Sequence, residues 1–202
     1  MNRPAGPPAA GKTALRWERA RVESRGRILD AAAKVFQQDG YERANMLRIA
    51  HVAGMSKVTL YAHFRDKARL FCAVMDHHLS CLPPPARPPS DALDLRRKLD
   101  WVAAQIRDLA GQQACRSFCR TLARSSEAPG IYPERWEARL LPYRRYVAEA
   151  LAHERVAAPG VHADQFMLLA LSAHALLPPT TAVSGDEAVV ILFEQAFARN
   201  DA

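Results

Sequence analysis

The sequence predicts an all-α protein, built from an N-terminal three-helix domain with a helix-turn-helix and a C-terminal helical bundle, with about nine helices in all. Apolar residues recur with the period of a helix, and no stretch alternates with the two-residue period of a strand. The segment Pro83 to Ser90 is stiff and proline-rich and marks the clearest boundary in the chain. We therefore expect a flexible basic arm over residues 1–20, a first domain over 21–81 and a second over 82–202.

The composition changes near residue 20. Residues 1–20 are basic and rich in Pro, Gly and Ala, a composition that buries too little apolar surface to order itself, although Leu15 and Trp17 can extend the helix that follows. This arm either crosses a minor groove or tracks the phosphates of DNA, as homeodomain arms do, or stays a solvated, untethered tail. From Ser24 onward apolar residues fall on one helical face, and Asp39-Gly40 ends this first helix because glycine tolerates a positive φ.

The other helices of the first domain follow from capping and turn residues. A short helix begins after a side chain that accepts a hydrogen bond from the first turn and ends at a residue that cannot continue it. Three helices are predicted in this way: Asn45, as N-cap, to Gly54; Ser56, as N-cap, to about His63; and Lys67 to Leu82, where three prolines follow.

The second domain is predicted to contain five helices. The last two are more apolar than one buried stripe explains, so we expect them to pack against a second copy and form a homodimer through residues about 162–199. The five predicted helices are one capped by Ser90 or Asp91 and ending at Gly111, one from about Ala114 to Ser125, one from Pro133 through Leu151 with Pro142 as a possible kink, and two over 162–177 and 185–199.

The positive charge is concentrated in the first third of the chain. The net charge is +7 at pH 7, and residues 1–71 hold 14 Lys and Arg against 6 Asp and Glu, whereas the rest holds 14 against 15. A basic module beside a nearly neutral domain predicts a polyanionic partner, with nucleic acid the first candidate. No apolar stretch approaches the ~18 residues of a membrane span, no secretory signal pattern is present, and the cysteines form no CxxC pair, so we expect a cytoplasmic protein without a membrane contact.

Residues 49–61, IAHVAGMSKVTLY, have the order that a helix-turn-helix requires: a small residue where two helices touch, a glycine at the turn and a capped second helix. In a major groove, the first turn of that second helix faces base edges. Lys57 can donate to guanine, Thr59 can donate, accept or touch a thymine methyl, and Val58 offers an apolar contact. We expect Ser56 to cap this helix at the DNA and phosphate contacts to come from Arg25, Asn45, Arg48, Tyr61, His63 and Lys67.

Residues 25–71 resemble the N-terminal DNA-binding domain of the TetR family of transcriptional regulators. The residues that carry this resemblance include Ile28-Leu29, Ala31-Ala32, Phe36, Gly40-Tyr41, Ile49-Ala50, Ala53-Gly54, Ser56-Lys57, Thr59-Leu60-Tyr61, His63-Phe64, Lys67 and Leu70-Phe71. The resemblance implies a bacterial homodimer on a double-stranded DNA operator. It also implies a helical second domain that binds an unknown small-molecule effector, most often in a repressor released by that effector.

Other interpretations of the same residues remain open. Aromatic and Met side chains of the second domain line an effector pocket or simply form core: Trp101, Phe118, Trp136, Tyr143, Tyr146, Phe166 and Met167. Cys115 with Cys119, and His77-His78 near Cys81, suggest a metal or redox site, but buried structural thiols are the favoured interpretation, and we expect no metal and no cofactor. The alternative functions are a helical binding or scaffold protein whose helix-turn-helix contacts no DNA and, more weakly, an enzyme, for which no catalytic motif is present.

Overall fold

The computed structural model describes residues 10–89, 93–126, 128 and 130–176, and these residues form eight α-helices and no strand. The all-α fold class is therefore confirmed. The predicted helix over 185–199 lies outside the described residues, and none of the helices described has the length and apolarity needed to cross a membrane. In chain order, the helices are α1 Ala10–Arg43, α2 Met46–Ala53, α3 Lys57–His63, α4 Lys67–Ser80, α5 Leu95–Gly111, α6 Gln113–Ala123, α7 Tyr132–His153 and α8 Pro159–Ser172.

Helix α1 begins earlier than the sequence analysis predicts. Residues 10–20, expected to belong to a flexible arm, form its first turns, because the stretch ALRWERAR consists mainly of strong helix formers. The helix is interrupted at Gly40, whose φ of 76° and ψ of 170° are not helical, so the predicted stop is confirmed. The expected arm is thus helical from Ala10, while residues 1–9 lie outside the described part of the chain.

The helix-turn-helix forms as predicted because its caps and its turn are satisfied locally. Asn45 Oδ1 accepts a hydrogen bond from Arg48 N at 2.8 Å, and Ser56 Oγ accepts one from Thr59 N at 3.1 Å. Gly54 adopts φ 65° and ψ 37°, the left-handed conformation that closes α2. The Arg27 guanidinium then donates to the Ala53 carbonyl at 3.1 Å, so α1 holds the end of α2 in place.

Several helix limits in the second domain differ from the prediction. Asp94, and not Ser90 or Asp91, caps α5: its Oδ1 accepts from Arg97 N at 2.8 Å. Of the three candidate caps, this aspartate is the one nearest in sequence to the buried residues of α5. Helix α8 begins at Pro159 and ends at Ser172 instead of spanning 162–177, since proline suits a first turn.

One core runs through both domains. Phe36 of α1 meets Phe71 of α4 with ring centroids 5.2 Å apart, and Phe71 meets Tyr132 of α7 at 6.1 Å. The contacts continue from Tyr132 to Phe118 of α6 at 6.3 Å and from Phe118 to Trp136 at 5.6 Å. A displacement of α6 or α7 is therefore felt by the helices that carry the helix-turn-helix.

Hydrogen bonds join the domains beside this core. Tyr41 N donates to Ser125 Oγ at 3.1 Å, and Arg124 Nη1 donates to the Gln38 carbonyl at 2.9 Å. On the other side, the Tyr132 hydroxyl lies 3.0 Å from the Cys72 carbonyl of α4. The end of α1 and the middle of α4 are thus both fastened to the second domain.

Candidate nucleic-acid interface

The outer face of α3 presents the side chains that the sequence analysis assigns to base contacts. Leu60 is the one fully buried residue of α3, so the rest of this short helix faces outward or sits at its edge. Val58 is 80% exposed and Lys57 is also exposed. An apolar and a cationic side chain therefore stand together at the start of a helix that packs on the domain through its opposite side.

Thr59 differs from its neighbours because its hydroxyl takes part in the cap. Its Oγ1 lies 2.9 Å from Ser56 Oγ, and its backbone N donates to the same oxygen. When the Ser56 hydroxyl donates in this pair, the Thr59 proton is left for an outside acceptor. Ser56 is thus placed as the structural support of the α3 first turn.

Tyr61 is exposed on the same side of α3 as Lys57, one helical turn away. Its ring centroid lies 5.7 Å from the Lys57 ammonium, close enough for a cation–π contact. The two side chains form one basic and hydroxyl-bearing edge beside Val58. Such an edge fits phosphate oxygens on the rim of a groove.

Two of the side chains predicted to contact phosphates, Arg48 and Lys67, form bonds to other residues of the chain. Arg48 pairs with Asp39 at 2.8 Å and donates to Gln38 Oε1 at 3.1 Å. The Lys67 ammonium donates to the carbonyls of Tyr41 at 2.8 Å and Glu42 at 3.1 Å, which ties the end of α1 to the start of α4. Both residues hold the domain together in this structure, and their contact with DNA stays a prediction.

Arg25 and His63 lie together at the far end of α3. The Arg25 guanidinium stands 4.6 Å from the ring centroid of Phe64, the residue that follows His63. Burial, with the positive charges of Arg21 and Arg25, lowers the pKa of His63. Arg21 is the residue that the sequence analysis missed here. Its spacing of four from Arg25 is the signal that could have found it.

Comparison with known proteins identifies this domain. Residues 28–74 match the family described as bacterial regulatory proteins, tetR family. These residues belong to the TetR family. The match covers α2, α3, the C-terminal half of α1 and the first part of α4, including every residue assigned above to base contacts.

Two curated relatives match two fifths of the chain or less. The HTH-type transcriptional activator FasR of Mycolicibacterium smegmatis is 44% identical over 80 residues, 40% of this chain and 34% of FasR. The HTH-type transcriptional repressor ComR of Escherichia coli is 39% identical over 61 residues, 30% of this chain and 29% of ComR. The chain thus matches about a third of the length of these curated relatives.

Solved structures are similar in fold over most of the chain. NalD, the secondary repressor of the MexAB-OprM efflux pump in Pseudomonas aeruginosa, is 23% identical with a TM-score of 0.54, covering 88% of this chain and 96% of NalD. MexZ, a repressor of the same organism, is 18% identical with a TM-score of 0.55, covering 87% and 92%. AibR, solved with isovaleryl coenzyme A and operator DNA, is 21% identical with a TM-score of 0.51, covering 85% and 97%. The likeness shows that the chain has the fold of these regulators.

The residues predicted to line an effector pocket lie in three places in the second domain. Phe118 and Trp136 are buried together between α6 and α7, in the core that reaches the TetR-family domain. Trp101 of α5 packs instead on Tyr143 and Tyr146 of α7, with ring centroids 5.9 and 5.5 Å away. On α8, Met167 is buried and Phe166 half-buried. The pocket assignment stays a prediction for all of them.

The cysteines and histidines show contacts but no metal cluster. Cys115 and Cys119 are buried on one face of α6, and the hydrogen bond between them lowers the pKa of Cys115 and raises that of Cys119. His77 Nε2 lies 3.9 Å from Cys81 Sγ. Among the residues that the structure describes, no group of three His, Cys, Asp or Glu side chains is arranged to hold a metal ion.

Proposed function

We propose that this chain is a cytoplasmic, DNA-binding transcriptional regulator that inserts α3 into the major groove of its operator, and that it is not an enzyme. The observation that carries this proposal is the exposed pair Lys57 and Val58 on the first turn of a helix that follows the Gly54 turn. The family of residues 28–74 and the regulator names of its relatives support it.

The proposed base contacts depend on two α3 side chains that are exposed to water, Val58 and Lys57. Burying a valine side chain contributes roughly 1.5–3 kcal/mol, and a thymine methyl is an apolar surface that major-groove contact can supply. The Lys57 ammonium can donate to guanine N7 and O6 in the same groove. A scaffold protein that contacts no DNA gives no reason for this pair of side chains to stand exposed together.

A salt titration of DNA binding tests the proposal. We would select duplexes from a random-sequence library with the full chain and measure affinity by fluorescence anisotropy between about 50 and 200 mM salt. We expect log K to fall linearly with log salt. Lys57→Ala should weaken binding by about tenfold or more, since a good base contact contributes ~1–3 kcal/mol.

Lys34→Ala is the matched control, because Lys34 is an exposed residue of α1 on the face away from the core and loses the same charge. The Lys34→Ala protein should bind the duplex with the same affinity as the unaltered chain. Salt-independent binding, or an equal effect of the two substitutions, would overturn the proposal.

The chain is further proposed to act as a homodimer through residues about 162–199. Helix α8 supports this with two apolar side chains in water, Leu169 at 56% and Val161 at 43% exposure. Sedimentation equilibrium should give twice the 22.4 kDa chain mass at micromolar concentration. Leu169→Glu should shift the mass toward the monomer, and a monomeric unaltered chain would refute the dimer.

A small-molecule effector in the second domain is proposed to release a repressor of this kind. Two buried polar atoms, Thr121 Oγ1 of α6 and Trp136 Nε1 of α7, have no hydrogen-bond partner among the described residues, and buried polar groups are normally paired. An effector with both donor and acceptor groups, seated beside Phe118, would pair them. The effector must bind the released conformation more tightly than the operator-bound one, because equal affinity shifts nothing.

Contacts between α7 and α4 connect this site to α3. Arg135 and Tyr132 of α7 both contact Asp76 of α4, so a shift of α7 moves the helix that follows α3. A thermal-shift screen should find ligands that stabilise the unaltered chain but not Thr121→Val, which keeps the side-chain shape. Equal stabilisation of both proteins would place the effector elsewhere.

A further inference from the structure

Helix α1 extends well beyond the body of the first domain. It begins at Ala10, about 27 Å before Ile28 at 1.5 Å per residue, and Ile28 is the first buried residue among the side chains described from residue 14 onward. No side chain between residues 14 and 27 is buried. We call residues 14–25 the overhang. Within it, Arg16, Arg19, Arg21 and Arg25 stand against Glu18 and Glu23.

One stripe of the overhang lies on the side of α3. Trp17, Arg21 and Arg25 are four residues apart and share a helical face, which continues toward the buried Ile28 and Ala32. The contacts agree with this placement. The Arg25 guanidinium stacks over Phe64, directly after α3.

The positive charges of this stripe also influence the last residue of α3. The positive charges of Arg21 and Arg25 contribute to the lowered pKa of His63, the last residue of α3, so both guanidinium groups lie near it. The basic stripe of the overhang therefore reaches the C-terminal end of α3, the helix that also carries Lys57 and Tyr61. Two like-charged surfaces side by side fit one extended polyanion better than two separate partners.

We propose that the overhang is a second DNA-binding element, which lies along the phosphate backbone of the same duplex beside the half-site that α3 contacts. Arg21 binds a phosphate by the paired N–H donors of its guanidinium, which match phosphate oxygens. Trp17, 73% exposed one turn further out, lies against the sugar edge. The inference rests on the proposed function, since α3 sets the position of the duplex.

The stability of the overhang agrees with such a role. A helix that buries no side chain is only marginally stable in water, because most helical stability in proteins comes from packing. Contact with a phosphate backbone would supply interactions that the domain itself does not. The contribution adds affinity without sequence preference, because phosphates carry no base information.

Two arginines of the same helix provide the test. Arg21 lies on the stripe, whereas Arg19 is exposed on nearly the opposite side of α1 and removes the same charge. With the selected duplex as probe, Arg21→Ala should weaken binding about fivefold and reduce the salt slope by about one, the value for one phosphate contact. Arg19→Ala should stay within about twofold of the unaltered chain.

The outcomes separate the two proposals. If the unaltered chain binds with a steep salt slope but Arg21→Ala and Arg19→Ala have equal effects, the overhang does not bind the duplex and the inference falls, while the proposed function stands. If the unaltered chain shows no salt-dependent binding, the proposed function itself falls. Arg21→Glu should weaken binding more than Arg21→Ala, and circular dichroism should show unchanged helix content for every variant.

Discussion

Replacing Gly40 by alanine should strongly destabilise the contact between the end of α1 and the end of α6. A Cβ built at Gly40 would lie 2.2 Å from the Arg124 carbonyl oxygen, far inside contact distance. Its φ of 76° and ψ of 170° belong to a region that essentially only glycine adopts, at a cost of about 1–3 kcal/mol for other residues. Moving the end of α6 away would also weaken the bond from Tyr41 N to Ser125 Oγ, about 1 kcal/mol.

We therefore expect Gly40→Ala to lower the free energy of unfolding by roughly 3 kcal/mol. Urea unfolding followed by far-ultraviolet circular dichroism measures this quantity, with an unchanged m-value. Gly26→Ala is the matched control: Gly26 is helical in α1 with nothing within 4 Å of its added Cβ. It should stabilise the chain by about 0.5–1 kcal/mol. A Gly40→Ala protein within about 0.5 kcal/mol of the unaltered chain would refute the reasoning.

Two further outcomes are expected. Tyr132→Phe removes the hydroxyl that contacts the Cys72 carbonyl, so urea unfolding should show a loss of about 1 kcal/mol; no loss would mean that this contact does not stabilise the interface. Burial, reinforced by His77, lowers the pKa of His78 to about 4 from 6.5, so the unfolded chain takes up a proton in this range that the folded chain does not. Stability should therefore fall between pH 7 and pH 5, and less so in His78→Leu, as measured by urea unfolding at both pH values. Equal declines in the two proteins would contradict this assignment.

The sequence predicts the helix-turn-helix well because its determinants are local. Asn45, Ser56 and Gly54 each act on backbone groups within four residues, so spacing alone identifies them. The cap of α5 was harder to predict, because Ser90, Asp91 and Asp94 are all suitable acceptors. The choice among them depends on how the buried stripe of α5 packs.

Contacts between distant residues account for what the sequence could not predict. Lys67 matches a phosphate contact by its position in the motif, yet its ammonium bonds to Tyr41, 26 residues earlier in the chain. Arg48 is similarly paired with Asp39. The helical start of α1 is a different case. Composition indicated an arm, whereas local helix propensity decided the conformation from Ala10 onward.

A crystal structure of the full chain with a selected duplex would test the central proposal most directly. We expect one α3 in each of two successive major grooves, with Lys57 Nζ within hydrogen-bond distance of a base and the Val58 methyl groups against a base edge. A complex in which α3 points to solvent, or in which Lys57 and Val58 touch no base, would contradict it.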